Sequence, residues 1–178
     1  SNVSRAMLEF LILTAARSGE VRAMTWGEVD LDDCVWIVPA GRMKVNAEHR
    51  VPLSGRAVEI LQAQKAAAAH ATLVFPSPTG SVPSDMILTK FLRDHNIESS
   101  ESGRTATAHG FRSSFRDWAS ENGYNRDLAE RALAHTVRNQ TEAAYHRTDL
   151  LDQRRPMMEA WSLYVCGIDV ADSKIVSI

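Results

Sequence analysis

Ala6 to Arg17 is apolar almost all the way round a helical wheel, the pattern of a helix buried on every side. Ser18-Gly19 interrupts it, and Glu20 to Trp26 resumes as a short helix. Val29 to Pro39 carries a strand signal, with Val35, Ile37 and Val38 between Asp32-Asp33 and Pro39. Arg42 to Val45 and His49 to Leu53 are two short runs around Asn46-Ala47-Glu48, which predicts a hairpin. Pro52 suits only an edge strand or a strand end. Ser54 is placed to cap a helix running to about His70, and Leu73 to Phe75 reads as a short buried strand. Pro76 to Pro83 is loop, Ser84 to about Asn96 helix, and Glu98 to Thr105 a polar loop or disordered link.

From Ala108 the periodicity is helical. Phe111, Phe115, Trp118 and Ala119 form one stripe, ended by Asn122-Gly123. Asp127 to Ala134, Asn139 to Arg147 and Leu150 to Val165 follow as helices, and Gly167 to Ile178 is a polar tail with a late Ile175-Val176 pair. The polar link Thr136 to Gln140 offers few core contacts, so the helix after it is expected to be mobile. The predicted class is therefore mainly α with a small antiparallel β-sheet, an α+β arrangement.

At 178 residues the chain is long enough for a sizeable core. The expectation is one domain over residues 1–178, globular over about 3–166 with a tail from 167 to 178. No run approaches the ~18 apolar residues of a membrane helix, and no secretory signal opens the chain. Cys34 and Cys166 lie far apart and in no ligand spacing, which points to reduced thiols in the cytoplasm. The chain opens Ser-Asn without Met and reads as a piece of a longer protein. A net charge of −2 argues against a general nucleic-acid binder. But the 20 basic residues are 16 arginines and four lysines, and arginine is the side chain suited to bidentate recognition of phosphate.

Four places carry candidate chemistry. Arg17 ends the first apolar run with Glu20 three residues on; a guanidinium there is either paired structurally or turned to a ligand. Lys44 sits on the hairpin, where a solvated charge is the ordinary reading. His109 and Arg112 share a helix face that Arg116 continues, with Phe111, Phe115 and Trp118 opposite; imidazole, guanidinium and helix N-terminus together make an anion site, or else a cap and a surface charge. His135 ends a short apolar helix and Tyr145 lies on the next, whereas Tyr124 and Tyr164 look structural. His109, His135 and His146 show no zinc-ligand spacing, and no phosphate-binding G-x-x-x-x-G-K-[ST] loop is present.

In joint order, Arg17, Lys44, His109-x-x-Arg112, His135 and Tyr145 resemble the catalytic domains of the tyrosine recombinases, also called phage integrases, and within them those of prophages and genomic islands. Arg17-Ser-Gly-Glu20, Met43-Lys44, Val51-Pro52-Leu53-Ser54, His109-Gly-Phe-Arg112, Leu133-Ala-His135, Ala144-Tyr145, Arg154-Arg155-Pro156-Met157 and Trp161 carry the likeness, over about residues 5 to 165. The resemblance implies the tyrosine recombinase catalytic-domain fold. It implies DNA cleavage and rejoining through a covalent 3′-phosphotyrosine, with no metal, no cofactor and no ATP. Tyr145 would be the nucleophile, and Arg17 and Arg112 would clamp the non-bridging oxygens. His135 would donate to them, Lys44 would protonate the leaving 5′ oxygen, His109 would assist proton transfer, and Glu20 would orient the site. It further implies double-stranded DNA attachment sites as partner and a tetramer on synapsed DNA, with the isolated piece a monomer. Accessory DNA-bending proteins, core-binding and arm-binding domains outside this stretch, a place at the nucleoid of a bacterial or phage-infected cell and no membrane follow in the same way. A type IB topoisomerase-like relaxing enzyme shares the chemistry, and a DNA-binding regulator that keeps the pocket without turnover is a third reading.

Overall fold

The computed structural model describes residues 2–44, 46–67, 69–101, 103–135 and 148–168. Tyr145, the link Thr136–Gln140, the predicted helix Asn139–Arg147 and the Ile175-Val176 pair lie outside them. The described residues adopt the expected class, mainly α-helix with one three-stranded antiparallel sheet.

Helix α1 (Asn2–Thr14) is the central element. Met7, Phe10, Leu11 and Leu13 are each at most 1% exposed, so it buries more than one face, as its all-round apolar pattern requires. It stops at Thr14, three residues before the expected end at Arg17. Ala15 turns into the left-handed region at φ 50°, which breaks the hydrogen-bond ladder. Arg17 becomes the N-cap of α2 (Ser18–Arg22), extended at φ −81° and ψ 147°.

The sheet runs β1 (Val29–Asp30), β2 (Val35–Val38) and β3 (His49–Pro52), with β2 central. Trp36 pairs with Val29 on one side and Val51 on the other, and Val38 pairs with His49. This corrects the predicted hairpin. The partner of His49–Pro52 is β2, not Arg42–Val45. Pro39 has no N–H to carry the ladder beyond Val38, and Ala40–Arg42 coils into a 3₁₀ turn whose arginine reaches back into the fold. Pro52 does end an edge strand.

One other expectation changes. Leu73 makes a single bridge to Thr25 rather than a strand, although Val74 and Phe75 are buried beside it. For Glu98 to Thr105 the loop alternative holds over the described residues: Glu98 bridges Thr105, and the Ala106 amide donates to the Ile97 carbonyl at 2.8 Å.

Helices α3 (Gly55–Ala67) and α4 (Ile87–Asp94) complete a first core with α1, α2 and the sheet. Ser54 takes its predicted place before α3. A second core joins α5 (Gly110–Glu121), α6 (Arg126–Ala132) and α7 (Leu151–Cys166). Phe115, Trp118 and Trp161 pack there with centroids 5.2–6.1 Å apart. Ile12 of α1 touches both cores, and its carbonyl accepts from Trp161 Nε1 at 2.8 Å. Among the described residues no helix is long and apolar enough to cross a membrane.

The second core depends on its buried aromatics, not on the exposed end of the stack. Phe115→Ala is expected to cost about 3–5 kcal/mol in urea unfolding. Tyr164→Ala, at a position 64% exposed, is expected to stay within about 0.5 kcal/mol of wild type.

Candidate active site

Helices α1 and α6 end at one point, and both leave carbonyl groups there without a helical partner. Past the last turns, Ala15 and Ala134 both adopt the left-handed conformation, at φ 50° each. Two arginines fill this gap. Arg112, on α5, is only 5% exposed. Its Nη1 donates to the Ala15 carbonyl, and its Nη2 to the Leu133 carbonyl at 2.7 Å. Arg17 donates through Nη2 to the Ala134 carbonyl at 3.3 Å and, more weakly, to Leu133 at 3.5 Å. The negative ends of two helices thus hold two guanidinium groups side by side.

Glu20 fixes Arg17 twice. One carboxylate oxygen accepts from Arg17 Nη1 at 2.8 Å, and the other from the Arg17 backbone N–H at 2.9 Å. The same carboxylate therefore caps α2 and orients the arginine. Both readings of the Arg17–Glu20 pair are compatible with this geometry, since Arg17 stays 30% exposed along its side chain.

His135 completes the group. Its Nε2 lies 3.2 Å from Arg112 Nη2, and its Nδ1 lies 2.6 Å from Glu130 Oε2. Guanidinium can only donate, so Nε2 is the acceptor in this arrangement and Nδ1 carries the proton towards Glu130. Glu130 also sits 3.1 Å from Arg116 Nε. Burial first, and Arg17 second, lower Arg112 from its ordinary value to about 10, still a cation at neutral pH. Two adjacent cations, one buried and one 30% exposed along its side chain, are the kind of pair that can hold an oxyanion.

The structure brings Arg17, Glu20, Arg112 and His135 together. It separates Arg112 from the helix face assigned to it: Arg112 turns inward, whereas Arg116 stays exposed. His109 is the exposed N-cap of α5, and Lys44 is exposed in the turn before β3. Neither the Lys44 ammonium nor the His109 ring has a hydrogen-bond partner among the described residues. Tyr145 is outside them. No group of three or more His, Cys, Asp or Glu side chains among the described residues could hold a metal ion.

Two side chains, Glu130 and His49, and three backbone carbonyls escaped the sequence reading. Glu130 precedes His135 by five residues, off the helical spacings, and meets it only because the chain folds back at Ala134. The Ala15, Leu133 and Ala134 carbonyls have no side-chain signal at all. His49, at the start of β3, is half-buried against the Ala132 carbonyl, Arg154, Glu20 and Arg17; burial foremost lowers it to about 4, so its ring is neutral.

The model of the phage integrase family matches residues 1–150. The chain belongs to the phage integrase family. It is 33% identical over 166 residues to prophage integrase IntA of Escherichia coli K12, covering 93% of this chain and 40% of that protein. The integrase of mycobacterium phage Brujita shares its fold at TM-score 0.65 and 22% identity, over 89% of this chain and 51% of that one. A lambda integrase dimer bound to a COC′ core site matches at TM-score 0.58 and 23% identity, over 83% of this chain and 53% of that one. The chain spans about two fifths of the length of the curated relatives it matches.

Neutral His49 has a consequence for stability. Its folded pKa is below its unfolded value of 6.5, so the unfolded chain binds the extra proton as pH falls. The stabilisation is full above about 6.5 and is lost towards pH 4. Urea unfolding of wild type is therefore expected to weaken, relative to His49→Gln, as pH falls through that window. Parallel curves would show that His49 is not buried neutral.

Proposed function

We propose that this chain is the catalytic domain of a site-specific DNA recombinase, cutting and rejoining double-stranded DNA at attachment sites for integration or excision of a prophage or genomic island. The observation that carries the reading is the pair of guanidiniums held side by side on the Leu133 carbonyl, in a chain of this family. A phosphodiester repels nucleophiles, and its transition state spreads charge over the non-bridging oxygens. Preorganised arginines meet that charge without reorganising. In this reading Arg17 and Arg112 bind those oxygens, and Glu20 keeps Arg17 aimed.

Tyr145 Oη attacks phosphorus and forms the 3′-phosphotyrosyl bond as the bond to the 5′ oxygen breaks. Lys44 gives the departing oxygen its proton, and the product end is a 5′ hydroxyl. His109 assists removal of the tyrosine proton. His135 has to exchange partners: a phosphate oxygen displaces its Nε2 from Arg112, and Nε2, having taken a proton from solvent, then donates to that oxygen while the Nδ1 proton stays hydrogen-bonded to Glu130. Rejoining reverses the steps and conserves the bond energy, so ATP is not required, and in this reading the arginines supply the charge stabilisation that a metal would otherwise give. For the whole protein we place this domain in a tetramer on synapsed DNA, with further domains gripping the duplex and DNA-bending proteins assisting.

A nicked suicide duplex carrying the attachment site tests this with the full-length protein. Wild type is expected to give a denaturation-resistant 3′ adduct and Tyr145→Phe none. An adduct that persists in Tyr145→Phe would reject that nucleophile. Arg112→Lys is expected to slow adduct formation by about 10²–10³, the usual loss for one oxyanion donor.

A further inference from the structure

The loop from Pro39 to Glu48 joins β2 to β3 and carries Lys44, whose ammonium has no hydrogen-bond partner among the described residues. One residue before it, Met43 is 6% exposed and packs into the first core. Two residues before it, Arg42 spans the gap between this loop and the arginine site. Its Nη1 donates to the backbone carbonyl of Glu20 at 2.9 Å, and its Nη2 ion-pairs with Glu28. Glu28 is itself fixed by Trp36 Nε1 at 3.0 Å, from the centre of the sheet. Among the described residues, Arg42 to Glu20 is the one hydrogen bond from this loop to α2. Glu20 is also the residue whose carboxylate holds Arg17.

We propose that Arg42 is a positioning residue for the leaving-group side of the reaction, fixing the Lys44 turn in register with Arg17 through Glu20. The inference rests on the reading of Lys44 as the acid that protonates the 5′ oxygen. Its physical basis is stiffness. Lysine is a point charge on a flexible stem, so the place from which it delivers a proton depends on the backbone that carries it. The ladder ends at Val38 and His49, and the turn beyond it has the Met43 contact and the Arg42 fork to define its distance from α2. A misplacement of about 1 Å costs on the order of 10²-fold in rate.

The experiment separates proton delivery from charge stabilisation. Full-length wild type, Arg42→Met, Arg42→Lys and Lys44→Ala are compared on two suicide duplexes. One is ordinary; in the other, sulfur replaces the bridging 5′ oxygen of the scissile phosphate. A thiolate leaves without a proton, because its conjugate acid has a pKa of only ~8.5. Lys44→Ala is expected to be at least ~10²-fold slow on oxygen and close to wild type on sulfur. Arg42→Met is expected to be about 10–10²-fold slow on oxygen, near wild type on sulfur, and unchanged in DNA binding. Arg42→Lys keeps the charge beside Glu28 but loses the fork, so it shows the same selectivity if Arg42→Met folds poorly. Equal loss on both substrates, or none on oxygen, overturns the assignment of Arg42. A Lys44→Ala defect that sulfur leaves intact removes the acid reading itself, and Arg42 with it.

Discussion

Everything near the candidate site depends on one requirement: a guanidinium that is 5% exposed has to find acceptors inside the protein. Arg112 meets it with two carbonyls from different helices, Ala15 after α1 and Leu133 after α6. Burying such a charge alone would be very costly. Helix ends are suited to the task, since their last carbonyls lack intrahelical partners and carry partial negative charge. The left-handed turns at Ala15 and Ala134 stop both helices where those carbonyls point at the arginines. The end of each helix is therefore set by the site as much as by local propensity.

A second buried arginine does comparable work where α7 meets the sheet. Arg154, on α7, is 0% exposed and donates to the Asp149 carbonyl at 2.9 Å and the Arg50 carbonyl at 2.8 Å. Arg50 grips the Asp149 carboxylate in a fork at 2.7 and 2.8 Å. Arg155 adds a bond to the Asp33 carbonyl at 2.9 Å. These contacts dock α7 on the sheet, and Arg131 of α6 reaches the Thr148 carbonyl at 3.0 Å nearby. Many of the arginines that looked like a phosphate-binding excess are therefore structural, tying backbone carbonyls across elements. This also fits a chain with net charge −2.

The likeness to solved integrases at 22–23% identity shows how much sequence change this scaffold accepts. In this chain the constraint is geometric: two helix ends, one inward-facing arginine on α5, and a small sheet whose connecting loop passes α2. Side chains elsewhere in the cores need only apolar volume and fit.

The sequence by itself determined the mainly helical class, the aromatic stripe of α5, the strand at Val35–Val38 and the end of α5 at Asn122-Gly123. Each follows from short-range periodicity or from one residue's backbone preference. It also marked Arg17, Glu20, Arg112 and His135 as a group, through family-like order rather than through any local signal. Tertiary structure decided what meets what. The true partner of β3, the inward turn of Arg112 away from Arg116, the fold-back that brings Glu130 to His135, and the link from Arg42 to Glu20 all join residues through the ends of elements. Helix and strand periodicity carries no information about where such ends converge, because the deciding atoms are backbone carbonyls that every residue possesses.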